Sequence, residues 1–330
     1  MSTAALRLPL AFDPTASAYK DWLHVNVLDH DSGTVGLVNV SLHGDPADPR
    51  SRAVGTALLH VPGEGWFGNV EPVGFDEARI DTSSIALEHV AIAVEADTVL
   101  ASARLPNDEL ELDLTATFAG PVVTANETFP LGVGWIGWSG VPRLRPRGFA
   151  RVGGSELDLR AASAYHDHNW GRWHWGDDFG WEWGCFLPPD PAPAFVLTRV
   201  TNRRHELKEP SLFVAYTRTQ RRWFLGAGLT VTWSGSLAAR PRRVPGALAA
   251  LHHDRATPHL PARLQIVADD GVDRVHIEFR ARAVAQLLAA DPAQPGCGFI
   301  HELVGDFEFT SRLAGAEGGG KGLAVVEYVD

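Results

Sequence analysis

The chain has 330 residues, of which 45% are hydrophobic and 21% charged, a composition typical of a folded soluble protein. Its length exceeds what one hydrophobic core usually serves, so we expect two domains or one large all-β body. The net charge of -11 argues against nucleic acid and anionic membrane surfaces as partners, because both reward clustered Lys and Arg.

The start of the chain gives no targeting signal. The segment from Met1 to Ala11 lacks the basic lead and the long apolar core of a signal peptide. No stretch approaches the roughly 18 apolar residues of a membrane span. We therefore expect a cytoplasmic protein without an integral membrane segment. Cys185 and Cys297 lack a CxxC partner, which favours buried free thiols over a metal or redox role.

The first part of the chain, from Leu23 to Gly120, has the periodicity of strands separated by short turns. In residues 110–118, Leu, Ala and Phe alternate with acidic and Thr residues, which predicts a half-buried antiparallel strand. Residues 38–42 repeat this alternation. A turn or two of helix is expected near Ala16 to Trp22.

A composition change marks the middle of the chain. Residues 141–154 are rich in Pro and Gly, which indicates a crossing between two domains. We therefore expect an N-terminal domain at 1–145 and a C-terminal domain at 150–330. The Arg residues within 143–151 and 240–243 are interpreted as parts of solvated loops.

The second half again consists mostly of predicted strands. Asp269-Asp270-Gly271 favours a tight hairpin between two of them. A Pro- and Arg-rich excursion at 237–262 is expected to hold a short helix, and Ala283 to Ala290 is a second helix candidate. Many short antiparallel strands indicate barrels or sandwiches, and a barrel of about eight strands can hold one small ligand.

One stretch concentrates side chains with chemical potential: Tyr165-His166-Asp167-His168-Asn169-Trp170-Gly171, followed by a Trp-rich continuation to Trp183. On a strand, Tyr165, Asp167 and Asn169 share one face, and the two His share the other with Trp170. Further on, Trp181 and Trp183 share a face opposite Glu182. Indole rings supply apolar area and a π-face that attracts cations.

This heptad, the Trp-rich segment and the terminal Val326-Glu327-Tyr328 resemble the carotenoid 1,2-hydratases (hydroxyneurosporene synthase) and the related AttH-like proteins. The resemblance implies an all-β fold of two lipocalin-like (calycin) antiparallel β-barrels. It also implies a pocket for a long apolar molecule and chemistry at an unactivated double bond. Similar tandem barrels serve tocopherol cyclase and natural-product cyclases, including Diels-Alderases.

The resemblance also assigns roles to residues. In the hydratases a Tyr-x-Asp element supplies the acid that protonates a terminal alkene, and it matches Tyr165 and Asp167. Because an alkene is a weak base, Asp167 has to stay protonated near neutral pH, which burial favours. Tyr165, His166 or His168 would orient the carboxyl and restore its proton. The expected substrate-binding residues are Asn169, Trp138, Trp170, Trp175, Trp181 and Trp183.

The sequence departs from the hydratase pattern at one point. Hydratases carry a His-x-Trp element about one strand upstream of the heptad. The corresponding region here is Gly134-Trp135-Ile136-Gly137-Trp138, which has no histidine. Isomerisation, cyclisation or dehydration through the same cation therefore stay open beside hydration.

Our sequence hypothesis is a cofactor-independent enzyme that binds a lipophilic polyene or terpenoid-like substrate between or within two barrels. It would act by acid-initiated hydration, isomerisation or cyclisation. The alternatives are a non-catalytic carrier of a hydrophobic molecule, a pericyclic cyclase, and a purely structural polar strand. We expect no metal, although His166, His168 and His174 could ligate one. No Gly-x-Ser-x-Gly elbow supports a serine hydrolase.

Overall fold

The structure is a computed structural model that describes residues 4–8, 18–45, 48–105, 110–124, 128–206, 211–217, 220–245, 259–291 and 296–330. The predicted fold class is confirmed, because the chain is nearly all antiparallel β-structure in curled sheets. Helix in the described residues is limited to short 3-10 turns at Ala4–Leu6, Phe75–Glu77, Leu159–Ala161 and Gly226–Gly228.

The contacts divide the chain into two compact units. The first unit comprises Met1–Asp177 and Ala289–Cys297, and the second comprises Asp178–Leu288 and Gly298–Asp330. The described strands of the first unit are β1 Tyr19–Leu28, β2 Val35–His43, β3 Arg52–Val61, β4 Gly65–Gly74, β5 Arg79–Asp81, β6 Ser84–Ala86, β7 Val90–Glu95, β8 Thr98–Leu105, β9 Leu110–Phe118, β10 Val123–Thr124, β11 Phe129–Leu131, β12 Gly134–Val152, β13 Ser155–Asp158 and β14 Ser163–Arg172.

The remaining strands build the second sheet. They are β15 Gly180–Leu187, β16 Ala194–Thr201, β17 Ser211–Tyr216, β18 Arg221–Leu225, β19 Leu229–Ser234, β20 Arg242–Val244, β21 Arg263–Asp269, β22 Arg274–Ala290, β23 Cys297–Leu313 and β24 Ala316–Val329.

The first sheet joins its strands in the order β4-β3-β2-β1-β14-β12-β9-β8-β7-β6-β5. One face carries the apolar core of the unit, to which Leu23 and Val40 contribute together with Leu112 and Leu114. The predicted alternation of 110–118 is confirmed, since Leu110, Leu112, Leu114 and Ala116 are buried. The central strands β1 and β14 differ, because both of their faces are buried.

The predicted domain crossing near 141–154 lies inside the single strand β12. This strand pairs with β14 through its first half and with β9 through its second half, and its register shifts between Val141 and Leu144. Pro and Gly are tolerated where a strand changes its pairing partner at a register shift, so this part of β12 has a composition typical of a linker. The Arg residues of this run accordingly lie on a strand instead of a loop, with Arg143 buried.

The second sheet has the order β18-β17-β16-β15-β24-β23-β22-β21-β19. Its core is rich in Phe, with Phe186, Phe195, Phe213 and Phe307 fully buried. β20 pairs in parallel with β22, an exception to the antiparallel pattern of the described strands. β18 and β19 end the ladder, so the described strands of this unit leave a seam between these two edges.

Two of the three helix candidates are replaced by strand where the structure describes them. Ala283 to Ala290 is the end of β22, because strand pairing and burial override the helix propensity of Ala and Leu. Tyr19 to Trp22 begins β1. Residues 246–258, half of the excursion at 237–262 in which a short helix was expected, lie outside the described residues. The hairpin at Asp269 is confirmed, with Gly271 at a φ of 88°.

A buried ion pair joins Lys20 and Asp291 within the first unit. Lys20 Nζ lies 2.7 Å from Asp291 Oδ1 and donates to the Trp173 carbonyl at 2.6 Å. The other carboxylate oxygen of Asp291 accepts the Trp175 backbone N–H at 2.8 Å. Each partner is therefore satisfied, which is what burial of a charge requires.

Cys185 and Cys297 are both buried and form no disulfide, as the sequence favoured. Among the described residues, no helix has the length and apolar character needed to cross a membrane.

Candidate active site

Asp167 lies at the middle of β14, between β1 and β12. Its Cα partners are His24 on β1 and Gly140 on β12. Because alternate residues of a strand point to opposite sides, Tyr165 and Asn169 share the face of Asp167. The hydrogen bonds of these side chains confirm the predicted face.

Three neutral donors converge on the Asp167 carboxyl. Oδ2 accepts the Tyr165 hydroxyl at 2.8 Å and the Trp138 indole N–H at 3.0 Å. Oδ1 accepts the Asn169 amide at 2.9 Å. The Asp167 residue is only 3% exposed, so these bonds replace hydration by water.

Gly140 makes this convergence sterically feasible. A Cβ at this position would lie 3.0 Å from the Tyr165 hydroxyl and 3.1 Å from the Trp138 ring. Such contacts are tighter than a well-packed side chain tolerates. The missing side chain opposite Asp167 thus leaves the volume in which the phenol and the indole meet the carboxyl.

The environment of Asp167 shifts its protonation equilibrium into the neutral range. Burial raises the pKa of Asp167 to about 7, although the hydrogen bonds from Tyr165 and Trp138, the charge of His168 and the bond from Asn169 act in the opposite direction. Desolvation disfavours the ionised carboxylate, whereas donors favour it. The balance gives a carboxyl that can both hold and release a proton near pH 7.

The hydrogen-bond pattern also indicates which oxygen carries the proton. Oδ2 accepts two donors, which occupy both of its lone-pair directions. Oδ1 accepts only the Asn169 amide among the described hydrogen bonds. In the neutral acid the proton therefore belongs on Oδ1, with the Tyr165 and Trp138 donors fixing the other oxygen.

A row of polar residues on β1 and β2 extends this face, and the sequence analysis missed it. His24 lies directly across from Asp167, its Nε2 donates to Asn26 Oδ1 at 2.9 Å, and Asn39 Nδ2 donates to its Nδ1 at 3.4 Å. Burial lowers the pKa of His24 to about 4, so this imidazole is neutral at pH 7. The sequence feature that could have revealed this row is the alternation of polar residues with Leu23, Val25 and Val27. The same pattern is equally typical of a strand with one face in solvent.

His166 and His168 lie on the opposite face of β14 from the carboxyl. His166 Nδ1 donates to the His24 carbonyl at 2.8 Å, and burial lowers the pKa of His166 to about 3. His168 Nε2 donates at 2.7 Å to Asp21, which also accepts the Tyr19 hydroxyl at 2.6 Å. The expectation that either histidine orients the carboxyl is therefore corrected: Tyr165, Trp138 and Asn169 do so.

The metal alternative finds no donor set in the described part of the chain. No group of three or more His, Cys, Asp or Glu residues is arranged there to hold a metal ion. His166 and His168 bind the protein partners just described, and His174 Nδ1 lies 3.5 Å from Asp291.

The predicted substrate-binding residues are dispersed. Trp138 and Asn169 touch the Asp167 carboxyl. Trp170 lies on the other face, where it stacks on His168 with ring centroids 4.7 Å apart. Trp175 packs edge-on against Trp173 in the first unit. Trp181 and Trp183 belong to β15 of the second unit, where Trp181 Nε1 donates to Glu327 at 2.6 Å.

Comparisons with known proteins identify the fold. No protein-family model matches the chain, and no curated protein matches its sequence. An AttH-like protein of Nitrosomonas europaea has a similar structure, with a TM-score of 0.67 and 14% identity over 97% of this chain and 96% of that one. The chain has the lipocalin-like fold of AttH-like proteins.

Two other solved structures share this fold. Kievitone hydratase from Nectria haematococca has a TM-score of 0.63 and 13% identity, over 93% of this chain and 88% of that one. CghA, solved with Sch210972, has a TM-score of 0.61 and 12% identity, over 95% of this chain and 89% of that one. The fold is therefore shared by proteins whose sequences are only 12% to 14% identical to this chain.

Proposed function

We propose that this protein is a cofactor-independent enzyme that protonates a carbon–carbon double bond of a lipophilic substrate, with Asp167 as the acid. Hydration of the double bond is the reaction we favour, and isomerisation or ring closure would use the same first step. The observation that carries the proposal is a carboxyl 3% exposed whose pKa burial raises to about 7.

The chemistry requires a carboxylic acid that is neutral before the reaction and stabilised as an anion afterwards. The proton leaves Oδ1 of Asp167 and forms a C–H bond at one alkene carbon, and the other carbon becomes a cation. The carboxylate then keeps its bonds from Tyr165, Trp138 and Asn169, which lower the cost of the new negative charge.

The second half of the reaction restores the acid. Water adds to the cation through a new C–O bond, and the proton that this oxygen loses returns to Asp167. The sum is alkene plus water giving an alcohol, with no oxidant or reductant required. In ring closure a second double bond replaces water as the nucleophile, and loss of a proton from carbon regenerates the acid.

Trp138 would serve two purposes in this mechanism. Its N–H fixes Oδ2 at 3.0 Å with the ring edge toward the carboxyl, and the π-face of the same ring would stabilise a carbocation formed over it. The neutral row of His24, Asn26 and Asn39 adds no positive charge to this face, which is compatible with a cationic intermediate. The name of kievitone hydratase, a protein of the same fold, further supports hydration.

The test is turnover in D₂O with a library of polyene and terpenoid alkenes, followed by mass spectrometry. We expect the wild-type protein to give a product with one deuterium on carbon, and Asp167→Asn to lose turnover by at least about 1000-fold while it still binds the alkene. Asp21→Asn is the matched control, because Asp21 is a buried carboxyl of the same strand pair on the opposite face.

The outcomes separate the enzyme from its alternatives. Alkene that binds and is returned without deuterium indicates a carrier. A cyclised product without carbon-bound deuterium indicates pericyclic chemistry. Equal turnover by the wild-type protein and Asp167→Asn removes Asp167 from the mechanism.

A further inference from the structure

The second unit contains its own buried polar cluster, centred on Glu182 of β15. Glu182 is fully buried, and its Oε2 accepts the Arg199 guanidinium as well as the Trp233 indole N–H at 2.8 Å. Its Oε1 accepts His205 Nδ1 at 3.0 Å. Burial raises the pKa of Glu182, but His205, Arg199 and Trp233 outweigh it, so the carboxyl is ionised.

The carboxylate fixes the tautomer of His205. Because Nδ1 donates its hydrogen to Glu182, the lone pair of the neutral ring is on Nε2. The ring is held flat against Tyr328, with centroids 3.7 Å apart and planes 14° apart. The side chain is 5% exposed, yet Nε2 is buried without a hydrogen-bond partner. A buried acceptor without a hydrogen bond costs free energy unless another molecule donates to it.

A second buried acceptor of this unit, Gln286 Oε1, also lacks a hydrogen-bond partner. His301 Nδ1 donates to the Tyr328 carbonyl at 2.9 Å, so Gln286 Nε2 donates to His301 Nε2 at 3.1 Å. This arrangement leaves Gln286 Oε1 buried without a partner. His205 Nε2 and Gln286 Oε1 are acceptors, whereas Arg199 Nε, which is also buried without a hydrogen-bond partner, is a donor. A hydroxyl group both donates and accepts a hydrogen bond, so it suits such a set.

The seam of the second sheet gives this cluster a side open to solvent. Leu229, Val231 and Trp233 face the Phe-rich core but are only half buried, whereas core-facing residues of β16 such as Phe195 and Leu197 are fully buried. Arg199 bridges the seam, because its Nη1 donates to the Val231 carbonyl at 3.2 Å on edge strand β19. An apolar molecule could therefore reach His205 past the half-buried indole of Trp233.

The charges of the cluster narrow the class of ligand. Glu182 and Arg199 compensate each other, so no net charge remains to attract an ion. Trp233 adds an aromatic wall, set edge-on to Tyr328 at 5.5 Å. We propose that the second unit holds a separate binding site for a neutral phenolic or similar hydroxyl-bearing aromatic molecule, whose O–H donates to His205 Nε2.

The test compares two probes of matched shape, 1-naphthol and 1-methoxynaphthalene, by calorimetry and by NMR of protein labelled with ¹⁵N at histidine. We expect the wild-type protein to bind 1-naphthol about tenfold more tightly, the worth of one hydrogen bond, and the Nε2 resonance of His205 to move only with 1-naphthol. His205→Asn should abolish the preference. Asn suits this position because His205 has a φ of 56°, a conformation that Asn tolerates.

Two further variants locate the effect. His276→Phe changes a histidine on the outward side of β22 and should leave the preference intact. Asp167→Asn should also leave it intact, because the site does not depend on the proposed enzyme. Equal affinity for the two probes, an Nε2 resonance that shows a hydrogen bond already present and unmoved by 1-naphthol, or a preference lost in Asp167→Asn but kept in His205→Asn would each overturn the proposal.

Discussion

Asp167 and Glu182 are two buried carboxyls with similar exposure and different protonation equilibria. They are 3% and 0% exposed, and each accepts a Trp indole N–H, from Trp138 at 3.0 Å and from Trp233 at 2.8 Å. Their remaining partners differ. Asp167 meets a phenol and an amide, whereas Glu182 meets the guanidinium of Arg199 and the imidazole of His205.

The comparison teaches that burial alone does not set the protonation of a carboxyl. Desolvation raises the pKa in both cases, but at Glu182 the hydrogen bond from His205 and the charge of Arg199 reverse the effect. Neutral donors leave Asp167 titrating in the neutral range, where a carboxyl can act as an acid. The first site is therefore suited to proton transfer, and the second to holding a histidine in one tautomer.

Replacement of Arg199, the cation beside Glu182, should change the stability of the protein most. We expect Arg199→Met to lower the free energy of unfolding by about 4 kcal/mol at pH 8, because Glu182 is left buried and charged without its partner. Urea unfolding measures this loss. The double variant Glu182→Gln/Arg199→Met should recover most of it, and a loss below about 1 kcal/mol would show that Arg199 does not hold Glu182 ionised.

The protonation of Asp167 should make the stability of the protein depend on pH. Its folded pKa of about 7 exceeds the ordinary Asp value of 3.8, so the folded protein binds the proton more tightly than the unfolded chain. Between pH 4 and pH 7 the unfolded state loses this proton first, and wild-type stability falls as pH rises.

Asp167→Asn removes this slope. Its stability relative to the wild type should rise by at most about 4 kcal/mol from pH 4 to pH 7 and stay constant above. Unfolding curves at four or five pH values give the difference directly. A difference that does not change over this range would mean that Asp167 titrates normally.

The donors of Asp167 can be removed one at a time. Tyr165→Phe deletes the 2.8 Å bond to Oδ2 and keeps the ring, so we expect the pKa of Asp167 to rise by about one further pH unit. The pH at which turnover falls on the alkaline side should rise with it. Difference infrared spectroscopy of the protonated carboxyl measures the change, and an unchanged midpoint would assign the tuning to Trp138 and Asn169 alone.

The smallest effect is expected from the neutral row beside Asp167. Asn39 donates to His24 over a long 3.4 Å bond, and neither group is charged at pH 7. Asn39→Ala should cost less than about 1 kcal/mol of stability and leave the titration of Asp167 in place. A large shift of that titration would show that the row is electrically coupled to the acid.

The sequence predicted the arrangement of the motif well, because alternation along a strand depends only on local geometry. Residues 165–169 divide between two faces as expected, and Glu182 lies opposite Trp181 and Trp183 on β15. The indole that meets Glu182 is nevertheless Trp233, from a different strand. Strand pairing over long separations decides such contacts, and no local pattern encodes it.

The missed features share one physical cause. The alternation of residues 38–42 predicted a half-buried strand, but β2 is buried along most of both faces. Residues 141–154 predicted a linker, but β12 changes partner there within one strand. Ala283 to Ala290 favoured a helix, but pairing made it a strand. In each case tertiary packing overrode a local preference.

The protonation of Asp167 is the claim on which the proposed function depends. A ¹³C NMR titration of the protein labelled at aspartate carboxyls, with Asp167→Asn used to assign the resonance, measures it directly. We predict a midpoint near pH 7, as burial among neutral donors requires. A midpoint at or below about pH 4, the range of an ordinary Asp, would contradict the proposal.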